Sequence, residues 1–179
     1  MKAETTRLGK IVSGVDVFVA FLPLAHILEL ICELFCIFNG ATLGYSSPIT
    51  ITDTSTGIKR NEKGDLKVLE PTIMAGVPIV LERIMKAVFE KVGQSGWFKE
   101  NLFKIAYKQK LRRFRRGQST RVLDSILFKK ISHAILGKKV RLVIAGGAML
   151  SREVQEFVQV VICPVMQAFG LTGKRLFLK

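Results

Sequence analysis

Histidine is almost absent from this 179-residue chain: only His26 and His133 occur, so a histidine-built metal site or proton relay is poorly supplied. No Gly-rich phosphate loop, HExxH, CxxC or nucleophile elbow occurs, which disfavours a self-contained P-loop enzyme, zinc protease or Ser/His/Asp hydrolase. Cysteine is scarce too. Cys32, Cys36 and Cys163 form no zinc-type spacing, an odd number cannot pair completely, and all three lie in apolar context. They read as buried, reduced thiols of a cytosol-facing protein. Proline is limited to 5 residues, and with 49% hydrophobic residues the chain is of the globular class, long enough for one domain. There is no uninterrupted apolar run of membrane-spanning length. Val15 to Phe38 comes nearest, but Pro23, His26, Glu29 and Glu33 interrupt it. The first ten residues also fail as a secretion signal, because no small-residue cleavage site follows an apolar stretch.

Acidic residues are the other shortage: 14 Asp and Glu stand against 28 Lys and Arg, for a net charge of +14. Between Lys99 and Arg141 there are 14 cations and only Glu100 and Asp124, so that stretch holds +12 of the total. Such a surplus fits a negatively charged partner: a phospholipid surface, nucleic acid, or a polyanionic substrate. A solvated basic face, its acidic complement on other chain, is an equal reading.

The chain reads as alternating strands and helices. Val15 to Leu22 is a short β-branched and aromatic run ended by Pro23, as expected of a strand buried on both faces. From Leu24 the period becomes helical, with Ile27, Leu30, Ile31, Leu34, Phe35 and Phe38 on one face and Glu29 and Glu33 on the other. Asn39-Gly40 stops this helix, and Ala41 to Tyr45 is the next strand. Strand, helix and strand within about 30 residues make a βαβ unit and imply a parallel sheet. Ser46 to Asp65 is a polar loop, and Thr72 to Gly76 is a strand. Pro78 opens a helix that continues from Val80 to Val92. Trp97 to Phe114 is a further helix, with Phe98, Leu102, Ile105 and Leu111 expected inward and basic residues outward. Val122 to Leu136 is another. Strands at Val140 to Ala145 and Val165 to Phe169 flank a helix over Glu153 to Val160. The fold class is therefore α/β, a partial and mostly parallel sheet with flanking helices, with no internal repeat or domain boundary.

Three strand ends carry glycine or proline: Leu22-Pro-Leu-Ala-His26, Ala145-Gly-Gly-Ala-Met-Leu-Ser151 and Gln167-Ala-Phe-Gly-Leu-Thr172. Open α/β sheets bind ligands at the carboxyl ends of their strands. Bare backbone at glycine approaches a base or phosphate closely. Phe169 supplies a ring for stacking, and Thr172 a hydroxyl for a phosphate oxygen. Each segment alone is more often packing than a nucleotide site, and a lone histidine such as His26 is more often simply packed.

Together these segments resemble the long-chain acyl-CoA synthetases of the adenylate-forming (AMP-binding) superfamily. The resemblance runs from about Val15 to Thr172 and is carried by FLPLAHILEL, NGATLGYSSPITITDTSTGIKRNEKGDLKVLEPTIMAGVP, LFKIAYKQKLRRFRRG, LFKKI, VRLVIAGGAMLS and FGLTGK in order. It implies an internal piece of the large N-terminal domain of such enzymes, residues 1–179 being a partial AMP-binding domain. It implies fatty-acid activation with ATP and Mg2+ to an acyl-adenylate, then transfer to CoA. It places Gly146, Gly147 and Ala148 along the adenine, Phe169 and Gly170 beside it, Thr172 at the α-phosphate and His26 near the acyl-adenylate. The cytosolic face of the endoplasmic reticulum or another intracellular membrane is the implied location, although no membrane anchor is present in this sequence.

The departures matter as well. Met149 stands where the resemblance leads one to expect Pro, and Ala168-Phe169 replaces a Gly-Tyr pair. Gly173 stands where a magnesium-binding Glu is expected, and GKRLFLK (173–179) reads as a tail foreign to the family. The phosphate loop, ribose-binding Asp and mobile C-terminal domain are not in this sequence, so the expectation is a ligase fragment inactive alone. The alternative is a non-catalytic protein that binds anionic membrane, or less favourably nucleic acid, through the basic stretch. A third is an unstable piece whose unpaired strand edges aggregate.

Overall fold

The computed structural model describes residues 14–118, 128–169 and 177–178. The chain forms a mixed α/β fold around a sheet with strand order β2-β1-β3-β4-β5-β6. The strands are β1 (Val17–Ala20), β2 (Thr42–Tyr45), β3 (Ile73–Gly76), β4 (Leu142–Ala145), β5 (Val165–Phe169) and the short β6 (Phe177–Leu178). The first five run parallel, and β6 is antiparallel to β5. The helices are α1 (Ile27–Phe38), α2 (Asp65–Leu69), α3 (Pro78–Gly93), α4 (Trp97–Arg115), α5 (Lys129–Leu136) and α6 (Arg152–Phe157). A π-helical turn, Val158–Ile162, prolongs α6.

The expected strands fall where the apolar runs put them. β1 and β3 lie inside the sheet, and Phe18, Val19, Met74 and Ala75 are wholly buried because both faces are covered. One face carries the larger core, in which Phe103, Phe128 and Phe157 pack with the valines and leucines of α3, α5 and α6. The other face is covered by α1 through Leu28, Cys32 and Cys36, against Phe18, Ala20, Ile73 and Leu142. The helix after β1 and the helix after β3 therefore lie on opposite faces. The strand order reverses between β1 and β3, and in such sheets that switch point opens a crevice at the carboxyl edge.

Two helices turn differently from the sequence expectation. In α1 the carboxylate side faces the sheet: Glu29 is 0% and Glu33 7% exposed, whereas Leu34, Phe35 and Phe38 are 44%, 50% and 85% exposed. Cys32 and Cys36 are small enough to let the helix lie close to the strands, and the bulky stripe faces away. In α4 the buried residues are Phe103 and Ala106, while Phe98, Leu102 and Ile105 point outward; of the four expected inward, only Leu111 packs on the core. The aromatic cluster of Phe89, Phe103, Tyr107 and Phe157 fixes this rotation, with ring centroids 5.3 to 6.2 Å apart. Val122 to Leu127 of the helix expected before Leu136 lies outside the described residues.

The amino edge of the sheet is pinned by polar groups. Arg141 donates to both oxygens of buried Asp16, at 3.0 and 2.6 Å, and the Thr72 hydroxyl donates to the same carboxylate at 2.7 Å. The backbone N–H of Val17 donates to Thr72 Oγ1, so β1, β3 and β4 start in fixed register. The polar loop 46–64 is held similarly, since Ser46 and Thr50 donate to Asp65 at 2.7 and 2.5 Å and Lys67 pairs with Asp53. All three cysteines are buried and unpaired, as their apolar context implies. No described helix is long and apolar enough to cross a membrane.

Candidate functional site

After β1 the chain reaches Pro23, whose carbonyl accepts from the backbone N–H of His26 at 2.8 Å and closes a tight turn. His26 then caps α1. Its Nδ1 accepts from the N–H of Leu28 at 3.2 Å. A neutral imidazole that accepts at Nδ1 carries its proton on Nε2, so the ring presents a donor outward. After β4, Gly146 donates to the carbonyl of Gly76 at 3.1 Å, which ties the ends of β3 and β4 together. Gly147 has φ +86°, a conformation glycine adopts without strain.

These turns meet. A Cβ built on Gly147 would lie 3.5 Å from His26 Nε2 and 3.2 Å from Val77 Cγ1. One built on Gly146 would lie 2.9 Å from Leu28 Cδ2 and 3.3 Å from the carbonyl oxygen of Ala168. The ends of β1, β3, β4 and β5 thus border a single patch at the switch point. Gly147, Ala148 and Met149 are exposed there, while Gly146 beneath them is buried. Leu150 anchors the segment from below, and Ser151 caps α6 by accepting from the N–H of Val154 at 3.3 Å. Phe169 ends β5 on this edge. Gly170, Thr172 and Gly173 lie outside the described residues, and so do the side chain of Phe169 and most of the 173–179 segment.

A profile of the AMP-binding enzyme family matches residues 2–173. The chain belongs to the AMP-binding enzyme family. Long chain acyl-CoA synthetase 8 of Arabidopsis thaliana is 39% identical over 164 residues, 88% of this chain and 23% of that protein. Long-chain-fatty-acid–CoA ligase 1 of Schizosaccharomyces pombe is 38% identical over 162 residues, 90% of this chain and 24% of that one. The chain therefore spans about a quarter of the length of these relatives. Among solved structures, the adenylation domain of a carboxylate reductase from Mycobacterium chelonae shares the fold. Its TM-score is 0.60 at 20% identity, over 88% of this chain and 20% of that one. The N-terminal domain of FACL13 from Mycobacterium tuberculosis gives 0.51 at 16% identity, over 95% and 30% of the two chains.

As a segment of an AMP-binding enzyme, the patch gains a second layer. Glu29, one turn after His26, is wholly buried, and neither carboxylate oxygen has a hydrogen-bond partner in the structure. Burial, and secondarily the charge of Glu33, raise its pKa to about 7. Glu33 is partnered, accepting from the Tyr45 hydroxyl at 3.1 Å. Among the described residues no group of three or more His, Cys, Asp or Glu side chains could hold a metal ion.

Sequence reasoning missed Val77, Leu28 and Ala168 as parts of this site. Val77 was within reach, since it stands between the end of a strand and a helix-opening proline. Ala168 contributes only its backbone carbonyl, which leaves no mark in a side-chain pattern. A cavity of about 600 Å³ also lies between the 46–64 loop and α3. Its walls combine Pro48, Ile49, Ile51, Val80, Ile84 and Ala87 with Thr52, Arg83, Lys86 and Glu90.

Proposed function

We propose that the carboxyl edge of this sheet is one wall of the acyl-adenylate site of a long-chain fatty-acid–CoA ligase. The observation that carries the reading is the juxtaposition of His26 Nε2 with the bare backbone of Gly147 at the switch point. Its support in sequence is the 38–39% identity with long-chain acyl-CoA synthetases and ligases. In the proposed reaction a fatty-acid carboxylate oxygen attacks the α-phosphorus of ATP and pyrophosphate leaves. The thiol of CoA then attacks the acyl carbon, and AMP leaves.

The roles follow from what each position can offer. Gly147 and Ala148 give the adenine a surface free of bulky side chains, Gly146 beneath them lets that turn pack close on Leu28, and Phe169 stacks on the adenine. His26 donates from Nε2 to the acyl-adenylate, and Thr172 offers its hydroxyl to the α-phosphate. Magnesium neutralises phosphate charge when bound, and its carboxylate ligands are not among these residues. The proposed setting is the cytosolic face of the endoplasmic reticulum or another intracellular membrane. The reaction belongs to a longer polypeptide, and the 179-residue chain does not complete it alone.

A chimera tests the reading. Residues 15–169 would replace the matching segment of the fission-yeast ligase 1, and oleate-dependent exchange of pyrophosphate into ATP would be measured. We expect exchange in the chimera, at least tenfold less after Gly147→Val, and none above background from the 179-residue chain. A folded chimera without exchange rejects the ligase reading. Turnover of about 1 per second by the chain alone rejects its role as a partial site.

A further inference from the structure

The outward rotation of α4 leaves a surface that the nucleotide site does not use. Phe98, Leu102 and Ile105 succeed one another at i, i+4 and i+7, so they form one line on the helix, and they are 72%, 46% and 65% exposed. Trp97, at the start of the helix, is 79% exposed. The same outer line continues through Gln109 into Arg112, Arg113 and Arg116, with Lys108 at its flank, all exposed. Other cations of the helix are engaged elsewhere. Arg115 makes a two-point pair with Glu156, Lys104 pairs with Glu100, and Lys110 donates to the Val160 carbonyl and lies 4.6 Å over the Phe128 ring. Lys108, Arg112, Arg113 and Arg116 have no acidic partner among the described residues.

We propose that α4 is an interfacial helix that docks on an anionic phospholipid surface. Its apolar amino-terminal half would enter the headgroup–acyl boundary, and its arginine-rich carboxyl-terminal half would lie on the headgroups. The combination decides the occupant. A further layer of protein is a poorer match, because Lys108, Arg112, Arg113 and Arg116 stand together without an acidic residue among them and would need an acidic complement across the contact. Nucleic acid suits the arginines, but Leu102 and Ile105 have no flat face on which a base can stack. Anionic lipid satisfies both halves: burial of apolar area, and about a fivefold gain in partition for each cation near the surface. The outer face of α1 is different. It is apolar without a single Lys or Arg, and so lacks the second half of the match. Docking through α4 does not depend on the ligase reading.

Trp97 is the only tryptophan of the chain, so its fluorescence reports directly from the proposed contact. The 179-residue chain would be mixed with large unilamellar vesicles of phosphatidylcholine and phosphatidylserine (3:1), and with phosphatidylcholine alone. The expected result is co-flotation with the mixed vesicles at least tenfold stronger than with the neutral ones, with a blue shift of Trp97 emission. The shift should persist in 0.3 M salt, because screening weakens the arginine contacts and not the apolar insertion. Phe98→Ser with Ile105→Ser should lower partition at least tenfold, and Arg112→Gln with Arg116→Gln should erase the preference for phosphatidylserine. All four positions are on the surface, and the α1 variant Phe35→Ser with Phe38→Ser serves as a matched control expected to bind normally. Unchanged Trp97 emission, loss of all binding in 0.3 M salt, or dependence on the α1 pair instead would overturn the proposal. So would tighter binding to a single-stranded RNA than to the vesicles at equal salt.

Discussion

His26 and Gly147, 121 positions apart in the chain, meet at the switch point: a methyl group on Gly147 would lie in ordinary contact with His26 Nε2, at 3.5 Å, and tightly against Val77 Cγ1, at 3.2 Å. The left-handed backbone of Gly147 and the cap that orients His26 create this relationship. Each can be disturbed separately.

Gly147→Ala should destabilise the chain by about 1–2 kcal/mol, the cost of a Cβ in the left-handed region. The extra methyl should also weaken AMP binding by at least tenfold. Urea unfolding and an AMP titration would check both. An alanine variant of unchanged stability would show that the φ of +86° is not held.

Glu29→Gln should act in a pH-dependent way. The folded chain keeps a proton on Glu29 up to about pH 7, whereas an unfolded carboxyl releases it near 4.5. The stability this proton confers is complete below about pH 4.5 and is lost as pH rises through 7. Compared with the Glu29→Gln variant, the native chain should be nearly as stable at pH 5 and weaker at pH 8, by up to about 3 kcal/mol. Denaturant midpoints of the two proteins across this range would show the divergence, and parallel curves would contradict it.

Asp16→Ala should cost about 3 kcal/mol, because it removes a buried carboxylate that accepts twice from the Arg141 guanidinium and once from the Thr72 hydroxyl. A double-mutant cycle with Arg141→Met would separate the pair from its surroundings. A loss below about 1 kcal/mol would mean that the pair behaves as a surface ion pair.

The cysteines should be silent to thiol reagents in the native state. Burial raises Cys32 and Cys163 to about 12 and Cys36 to about 11. The thiolate fraction at pH 8 is then on the order of one part in a thousand or less. Ellman's reagent should find almost no fast-reacting thiol in the folded chain and all 3 after guanidinium unfolding.

Much of this architecture was legible in the residues. β1, β3, β4 and β5 were visible because each is a short apolar run cut off by glycine or proline, and the parallel order followed from the helices between them. Helix rotation was not legible. In α1 both faces carry large apolar groups, and the choice falls to Cys32 and Cys36, whose small side chains admit close contact with the sheet even though two carboxylates come with them. In α4 the interlocked rings of Phe89, Phe103 and Tyr107 set the inward face, and such a long-range match leaves no periodic trace. The five-residue α2 and two-residue β6 are too short to register as patterns. For the site, the glycine turns and His26 were readable from their place after strands. The carbonyl of Ala168 became part of it only once the strand order was known.

The most direct test of the nucleotide-site reading is an amide chemical-shift map of the 179-residue chain titrated with AMP to millimolar concentration. Saturable shifts confined to the carboxyl edge, centred on His26, Val77, Gly146, Gly147 and Ala168, are expected. Shifts centred instead on the lysines and arginines of α4, or none at all along that edge while the chain remains folded, would contradict it.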